Sequence, residues 1–217
     1  MIELKAVSKI YQDGNEDNVV LKGIDMKIDE NDFITIMGKS GCGKSTLLNI
    51  IALLTEPTAG SVYYDGVRVN FRKMKKVESN RRNKIGLVFQ NPNLISTLNV
   101  YENILLTMIS KEKGKILDYL DMVGLKDKYK ADVRTLSGGE AQRVAIVRAI
   151  INHPEVLLCD EPTGSLDSES SKVIVDLLLK VQEETKCGLI IVTHDNEIGS
   201  LGKERIILEG GCLVGNK

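Results

Sequence analysis

Apolar and polar residues alternate along Ile2–Val7 and Val19–Ile28, the period-two pattern of strands that bury one face. Phe33-Ile34-Thr35-Ile36-Met37 is different, a short buried-strand run that ends directly at Gly38. Lys44–Leu54 then reads as a helix stopped near Pro57, and Ser61–Tyr64 and Ile85–Phe89 read as further strands. From about Asn91 to Leu136 the period becomes helical. Val100–Ser110 and Lys115–Val123 are two amphipathic helices, with Gly124 placed as a C-terminal stop, and Gly139–Asn152 is a third, ended by Pro154. Strand character returns at Val156–Cys159 and Gly188–Val192, with a helix over Ser168–Glu184 between them. Strand and helix alternating in this half imply parallel pairing in a covered α/β sheet. The helical stretch interrupts that core, which predicts one domain with two lobes.

Composition narrows the class without choosing a function. A chain of 217 residues, 42% hydrophobic and 27% charged, can bury one substantial core. A formal net charge of −1 gives no global field toward nucleic acid or an anionic membrane. Apolar runs such as Leu47–Leu54 fall well short of the ~18 residues needed to span a bilayer, so a membrane role needs a partner that supplies the spanning helices. Met1-Ile2-Glu3-Leu4-Lys5 shows no basic segment leading into an apolar one, so no signal peptide is expected. The four cysteines are far apart, and with two histidines they show no zinc-ligand spacing; reduced cytosolic thiols are expected. Phe71–Lys84 is rich in Lys and Arg, but it has no interleaved aromatics and reads as a solvated face rather than a nucleic-acid surface.

Candidate chemistry collects at the strand ends. Gly38-Lys39-Ser40-Gly41-Cys42-Gly43-Lys44-Ser45-Thr46 fits G-x-x-x-x-G-K-[ST] and lies between a strand and a helix, the context a phosphate-cradling loop requires. Lys44 would hold the β- and γ-phosphates, Ser45 would offer its hydroxyl to Mg²⁺, and Gly41 and Gly43 would let the backbone approach. Cys42 is read two ways: a thiol made reactive by the helix N-terminus and Lys44, or a small residue filling a tight loop. Val156–Asp160 is an apolar strand that delivers Asp160 toward the Mg²⁺ shell; Glu161, one residue on, can act as general base toward the attacking water. Gln90 ends another strand, where its amide can touch Mg²⁺ or the water. His194 ends a third and can reach the γ-phosphate, while His153 ends a helix and reads as structural. Tyr11 is expected in a loop after the first strand, where it could stack on adenine. Leu136-Ser137-Gly138-Gly139-Glu140 fits a capping box, and its two glycines would let another surface approach a helix N-terminus suited to an anionic γ-phosphate; both readings can hold together.

Over essentially its whole length the sequence resembles the ATP-binding-cassette (ABC) ATPases. Tyr11 matches the adenine-stacking loop, Gly38–Thr46 Walker A, Gln90 the Q-loop and Leu136–Glu140 the signature. Val156–Glu161 matches Walker B, Ser165-Leu166-Asp167 the D-loop and His194 the switch histidine, all in the family's order. The resemblance implies a P-loop NTPase (RecA-like) α/β core at 1–90 and 153–217, with an N-terminal antiparallel β subdomain and an inserted α-helical subdomain at 91–152. It implies ATP and Mg²⁺ as ligands, with Ser45, Gln90 and Asp160 toward the metal. Two chains would pair head to tail, each ATP held between Walker A of one and the signature of the other, with Asp167 near the nucleotide. Further implied are an integral membrane permease partner, a periplasmic or extracellular adaptor as a candidate, no nucleic acid, and a cytoplasmic position on the inner face of the membrane. Gly38-Lys39-Ser40-Gly41, Gly86–Asn91 and Asp160–Gly164 are similar to the macrolide-export and lipoprotein-release group, which includes a cell-division ATPase. Export or extraction of a substrate is therefore expected, with ATP-gated action on a membrane partner without transport as the alternative. Glu140 stands where the family more usually has glutamine, and Lys130–Arg134 lacks the proline often found before the signature.

Overall fold

The computed structural model describes residues 1–216 apart from Asn15, Lys111 and Lys113. In chain order the elements are β1 (Ile2–Asp13), β2 (Glu16–Ile28), β3 (Phe33–Met37), α1 (Lys44–Ile51), β4 (Ala59–Tyr64), β5 (Val67–Arg68), α2 (Met74–Lys84) and β6 (Ile85–Phe89). They continue as α3 (Val100–Leu105), α4 (Lys115–Met122), α5 (Gly138–Ile150), β7 (Val156–Asp160), α6 (Ser168–Thr185), β8 (Gly188–Thr193), α7 (Asn196–Gly199), β9 (Glu204–Glu209) and β10 (Cys212–Asn216). The chain divides into two compact units: Met1–Arg81 together with the segment from Gly188 onward, and Arg82–Cys187.

The first unit holds two sheets. One is antiparallel, in the order β2-β1-β4-β5. Its β1–β2 hairpin runs from Ile2 opposite Ile28 to Asp13 opposite Glu16, with register shifts after Leu4, Val7 and Lys9. The expected loop at Tyr11 is therefore corrected: Tyr11 lies within β1, paired with Asn18. Backbone ladder bonds carry the hairpin past Val7, where the side chains no longer alternate between core and water. In the second sheet β3 is flanked by β8 and β9, both parallel to it, and β10 closes the edge antiparallel to β9. All residues of β3 and β8 are buried, as a strand covered on both faces requires. Helix α1 packs on β1, β2 and β8 through Leu47, Leu48, Ile50 and Ile51. It stops three residues short of Leu54 because the chain turns at Leu53, which has φ 57°.

In the second unit β6 and β7 run parallel, from Ile85 opposite Val156 to Phe89 opposite Asp160. Helix α5 packs on β6, α3, α4 and α6. Helix α3 ends at Leu105 rather than Ser110 because Asn152 serves the next backbone groups: its Nδ2 donates to Thr107 O at 2.8 Å, and Ile109 N donates to its Oδ1 at 2.9 Å. Gly124 does end α4, with φ 69° and its N–H donating to Asp121 O at 3.0 Å. The basic stretch forms α2, which spans the boundary between the units; Val77 is its buried residue, Lys75 and Lys76 are exposed, and Lys84 is half-buried and paired with Glu155 at 3.0 Å. The α/β class, the antiparallel sheet and the parallel core all hold.

Candidate functional site

In the first unit, β3 ends at Met37 and the chain turns through Gly38–Gly43 into α1. Two glycines here are required by geometry. A Cβ on Gly38 would stand 2.4 Å from Leu208 O, and Gly43, at φ 106°, would bring one to 2.9 Å from Val20 Cγ1. The N-terminus of α1 has no side-chain cap and no acid in its first turn, so its N–H groups remain available to an anion. Lys44 is buried, and its Nζ donates to Gly38 O at 2.8 Å and Lys39 O at 3.0 Å, folding the ammonium across the loop. Lys39, Ser40, Gly41 and Ser45 are exposed; Cys42 and Thr46 are half-buried. Met37 pairs with Thr193, so Gly38 and His194 leave neighbouring strands at one level of the sheet. Asp195 holds the turn after His194 by accepting from Glu197 N at 2.7 Å. Tyr11 is 41% exposed with the Lys9 ammonium 5.0 Å from its ring centroid, an available aromatic face on a strand.

The second unit repeats this device. Phe89 pairs with Asp160, so Gln90 and Glu161 step off β6 and β7 together. Glu161 has φ 48°, an uncommon backbone state for a non-glycine residue, and its carbonyl accepts from Gly164 N at 3.0 Å. A Cβ on Gly164 would stand 2.9 Å from Gln90 Nε2, so the Gln90 amide lies directly over that turn. Ser165 Oγ donates to Gln90 O at 3.3 Å. Asp167 caps α6, accepting from Ser170 N at 2.8 Å and Ser170 Oγ at 2.7 Å; these bonds hold its carboxyl below the usual range.

Helix α5 opens on the capping box. Ser137 Oγ accepts from Glu140 N at 3.3 Å, and Glu140 Oε2 accepts from Ser137 N at 3.0 Å. The two glycines that follow the cap also lie close to side chains of their own chain. A Cβ on Gly138 would stand 3.1 Å from Leu166 Cδ2, and one on Gly139 3.3 Å from Ser170 Oγ, so the chain itself crowds this helix start. Ser137 and Gly138 remain exposed.

Sequence reasoning missed the side chains that hold the segment after Gln90. Gln142, buried in α5, donates to Phe89 O at 2.9 Å. Arg148, on the same helix, donates to Asn93 O at 2.8 Å and Pro92 O at 2.5 Å, and its burial lowers its pKa. Buried Asn103 donates to Ile95, Leu98 and Asn99 carbonyls and accepts from Ile95 N at 2.7 Å. The signal was polar residues at buried positions of otherwise apolar helix faces. Among the described residues no cluster of three or more His, Cys, Asp or Glu forms a metal site.

Residues 21–164 match the ABC transporter family. The chain is 44% identical to an ABC transporter ATP-binding protein of Methanocaldococcus jannaschii, MJ1508, covering 99% of this chain and 98% of the relative. It is 41% identical to the macrolide export ATP-binding/permease protein MacB of Bdellovibrio bacteriovorus, over 98% of this chain and 33% of that protein. It is 38% identical to the methionine import ATP-binding protein MetN of Vibrio vulnificus, over 99% of this chain and 64% of that protein. The structure superposes on the dimeric ABC transporter cassette MJ0796 with a TM-score of 0.91 at 40% identity, covering 100% of this chain and 98% of that one. MJ0796 has also been solved as a dimer in a post-hydrolysis state bound to ADP and Pi, with the same score and coverage.

Proposed function

The chain belongs to the ABC transporter family, and on that premise we propose a division of labour among its residues. The protein is an ATP-binding cassette that hydrolyses ATP as one of a pair and works with a membrane permease. Among the described residues no helix is long and apolar enough to cross a membrane, so the permease would provide the spanning segments. We place the ATP-binding core at 1–90 and 153–217 and the helical subdomain at 91–152.

The loop Gly38–Thr46 holds the phosphates, with Lys44 as the point charge and Tyr11 offered to the adenine. Ser45, Asp160 and the side-chain carbonyl oxygen of Gln90 would offer only oxygen donors, the kind a hard cation such as Mg²⁺ prefers. The chemistry such an ion would supply is neutralisation of charge on the phosphate oxygens. Glu161 takes the proton of the attacking water as its oxygen bonds to the γ-phosphorus. The bond from that phosphorus to the bridging oxygen breaks, giving ADP and phosphate. His194 contacts the γ-phosphate, and Ser137, Gly138 and Gly139 of the second chain, with Glu140 ordering them and Asp167 beside them, cap it. The observation that carries this reading is the pair of strand registers, Met37 with Thr193 and Phe89 with Asp160, which put Gly38, His194, Gln90 and Glu161 at the carboxyl ends of parallel strands. Ligands of open α/β sheets bind there.

Closure of the pair by ATP and reopening after hydrolysis would drive export or extraction of a substrate, with a periplasmic or extracellular adaptor as a further partner. The stretches Gly86–Asn91 and Asp160–Gly164 support that narrower assignment. Glu161→Gln tests the mechanism: it should retain ATP binding, accumulate a dimer and lose steady-state turnover. Hydrolysis at the wild-type rate would remove Glu161 from the general-base role.

A further inference from the structure

The carboxylate at Glu140 presents an electrostatic problem. The start of α5 is suited to an anion because its first N–H groups, apart from the capped Glu140 N, have no partner within the helix and its dipole is positive there. A glutamate in the first turn places a full negative charge beside that anion. Glutamine would form the same capping box without the charge. The structure supplies an answer one loop away. Lys128, in a 3-10 turn at Lys126–Lys128, donates through Nζ to Glu140 Oε1 at 2.5 Å. The other carboxylate oxygen, Oε2, accepts from Ser137 N. Each oxygen thus has one partner, one a cation and the other the backbone of the cap residue.

The lysine is held in place by more than its own ion pair. Tyr101 N donates to Tyr129 O at 2.8 Å and Val100 N to Ala131 O at 3.1 Å, tying the residues after Lys128 to the start of α3. The Tyr101 and Tyr129 rings meet edge to face at 6.5 Å. Glu140 is well covered, with its side chain 17% exposed, whereas Lys128 keeps 47% of its side chain in water. The carboxyl of Glu140 is held below the usual glutamate range, first by Lys128 and then by the Ser137 backbone.

We propose that Lys128 is a positioning residue for the signature: it neutralises Glu140 and fixes its carboxylate on the Ser137 N–H, so that the start of α5 can accept the γ-phosphate held by a second chain. This rests on the signature reading above. Lys128 touches no nucleotide and acts through Glu140. Removing it leaves an uncompensated anion where the phosphate must dock. Removing both charges restores neutrality with the cap intact, because the amide oxygen of Glu140→Gln can still accept from Ser137 N.

The test is ATP-dependent dimerisation in a Glu161→Gln background, measured by sedimentation velocity across a range of protein concentrations. Lys128→Met should weaken the ATP-bound dimer by about tenfold, roughly 1.4 kcal/mol. The Lys128→Met, Glu140→Gln pair should recover it, and Lys128→Arg should keep it. ADP binding to the monomer should be the same in all, which a general loss of structure would not spare. A dimer unchanged by Lys128→Met, or a double variant as weak as Lys128→Met alone, overturns the proposal. Failure of the parent Glu161→Gln chain to dimerise with ATP would instead overturn the signature reading itself.

Discussion

Replacing Arg148 by Met should weaken the protein and loosen the segment that carries Gln90. Arg148 donates two charge-assisted bonds, to Asn93 O at 2.8 Å and Pro92 O at 2.5 Å. Bonds to charged groups contribute about 1.5–3 kcal/mol each, but removing the guanidinium also relieves the cost of burying its charge. Asn93 is exposed, so water can replace the lost donor there; Pro92 is half-buried and recovers less. Met keeps most of the aliphatic stem and leaves little cavity. The net loss should be about 2 kcal/mol, nearly all of it from the polar contacts. For a chain of this length that corresponds to a fall in Tm of roughly 4–8 °C. Urea unfolding followed by circular dichroism would measure the first quantity. Steady-state ATPase should show kcat falling more than KM rises, because the loop after Gln90 loses its anchor while the phosphate loop is untouched. A stability change under ~0.5 kcal/mol, the range of ordinary surface substitutions, would refute the reasoning.

Cys42 lies with its Sγ over Gly38, 2.7 Å from the place a Cβ there would occupy, so alkylation adds bulk inside the phosphate loop. In a Cys212→Ser background, full modification of Cys42 should abolish ATP binding and prior ATP should protect it; unchanged activity would contradict this. The Glu140 carboxyl should titrate below the ordinary glutamate range and return toward it in Lys128→Met, read by carbon NMR. Because its folded pKa is depressed, the stability it contributes is present above the unfolded glutamate value and is lost as pH falls through the lower one. Ile95 is 41% exposed between half-buried Leu94 and Leu98. If the permease docks on this apolar patch beside Gln90, Asp at these positions should release it in co-purification while leaving nucleotide affinity intact.

The strands and the chemistry at their ends were legible because each carries a local signal. Phe33–Met37 is apolar but for Thr35 and runs into a glycine loop, and Val156–Asp160 is apolar until its acid. The β9–β10 hairpin is marked in the sequence only by Gly210-Gly211, a two-residue turn with φ of 56° and 85° in the structure. Tyr11 reads as loop in the sequence because a hairpin paired through its backbone leaves little periodicity when both faces meet water. The anchors Gln142, Arg148 and Asn103 were hidden for another reason. Each bonds carbonyls that are distant in sequence or outside any element, such as Phe89 and Pro92, and periodicity records a helix face without naming what it faces. The glycines of the signature meet a second demand that no sequence pattern records: Leu166 and Ser170 of the same chain stand 3.1 and 3.3 Å from where their Cβ atoms would lie.

Mixing two disabled chains tests most directly whether the acting site is built from two copies. Lys44→Ala removes the phosphate-loop cation, and Gly138→Asp puts an anion at the start of α5. Each variant alone should hydrolyse little ATP. If Gly38–Thr46 of one chain works with Ser137–Glu140 of the other, an equimolar mixture forms heterodimers with one intact composite site, and its ATPase rate should rise clearly above that of either variant. A mixture no more active than its components would contradict the two-chain account.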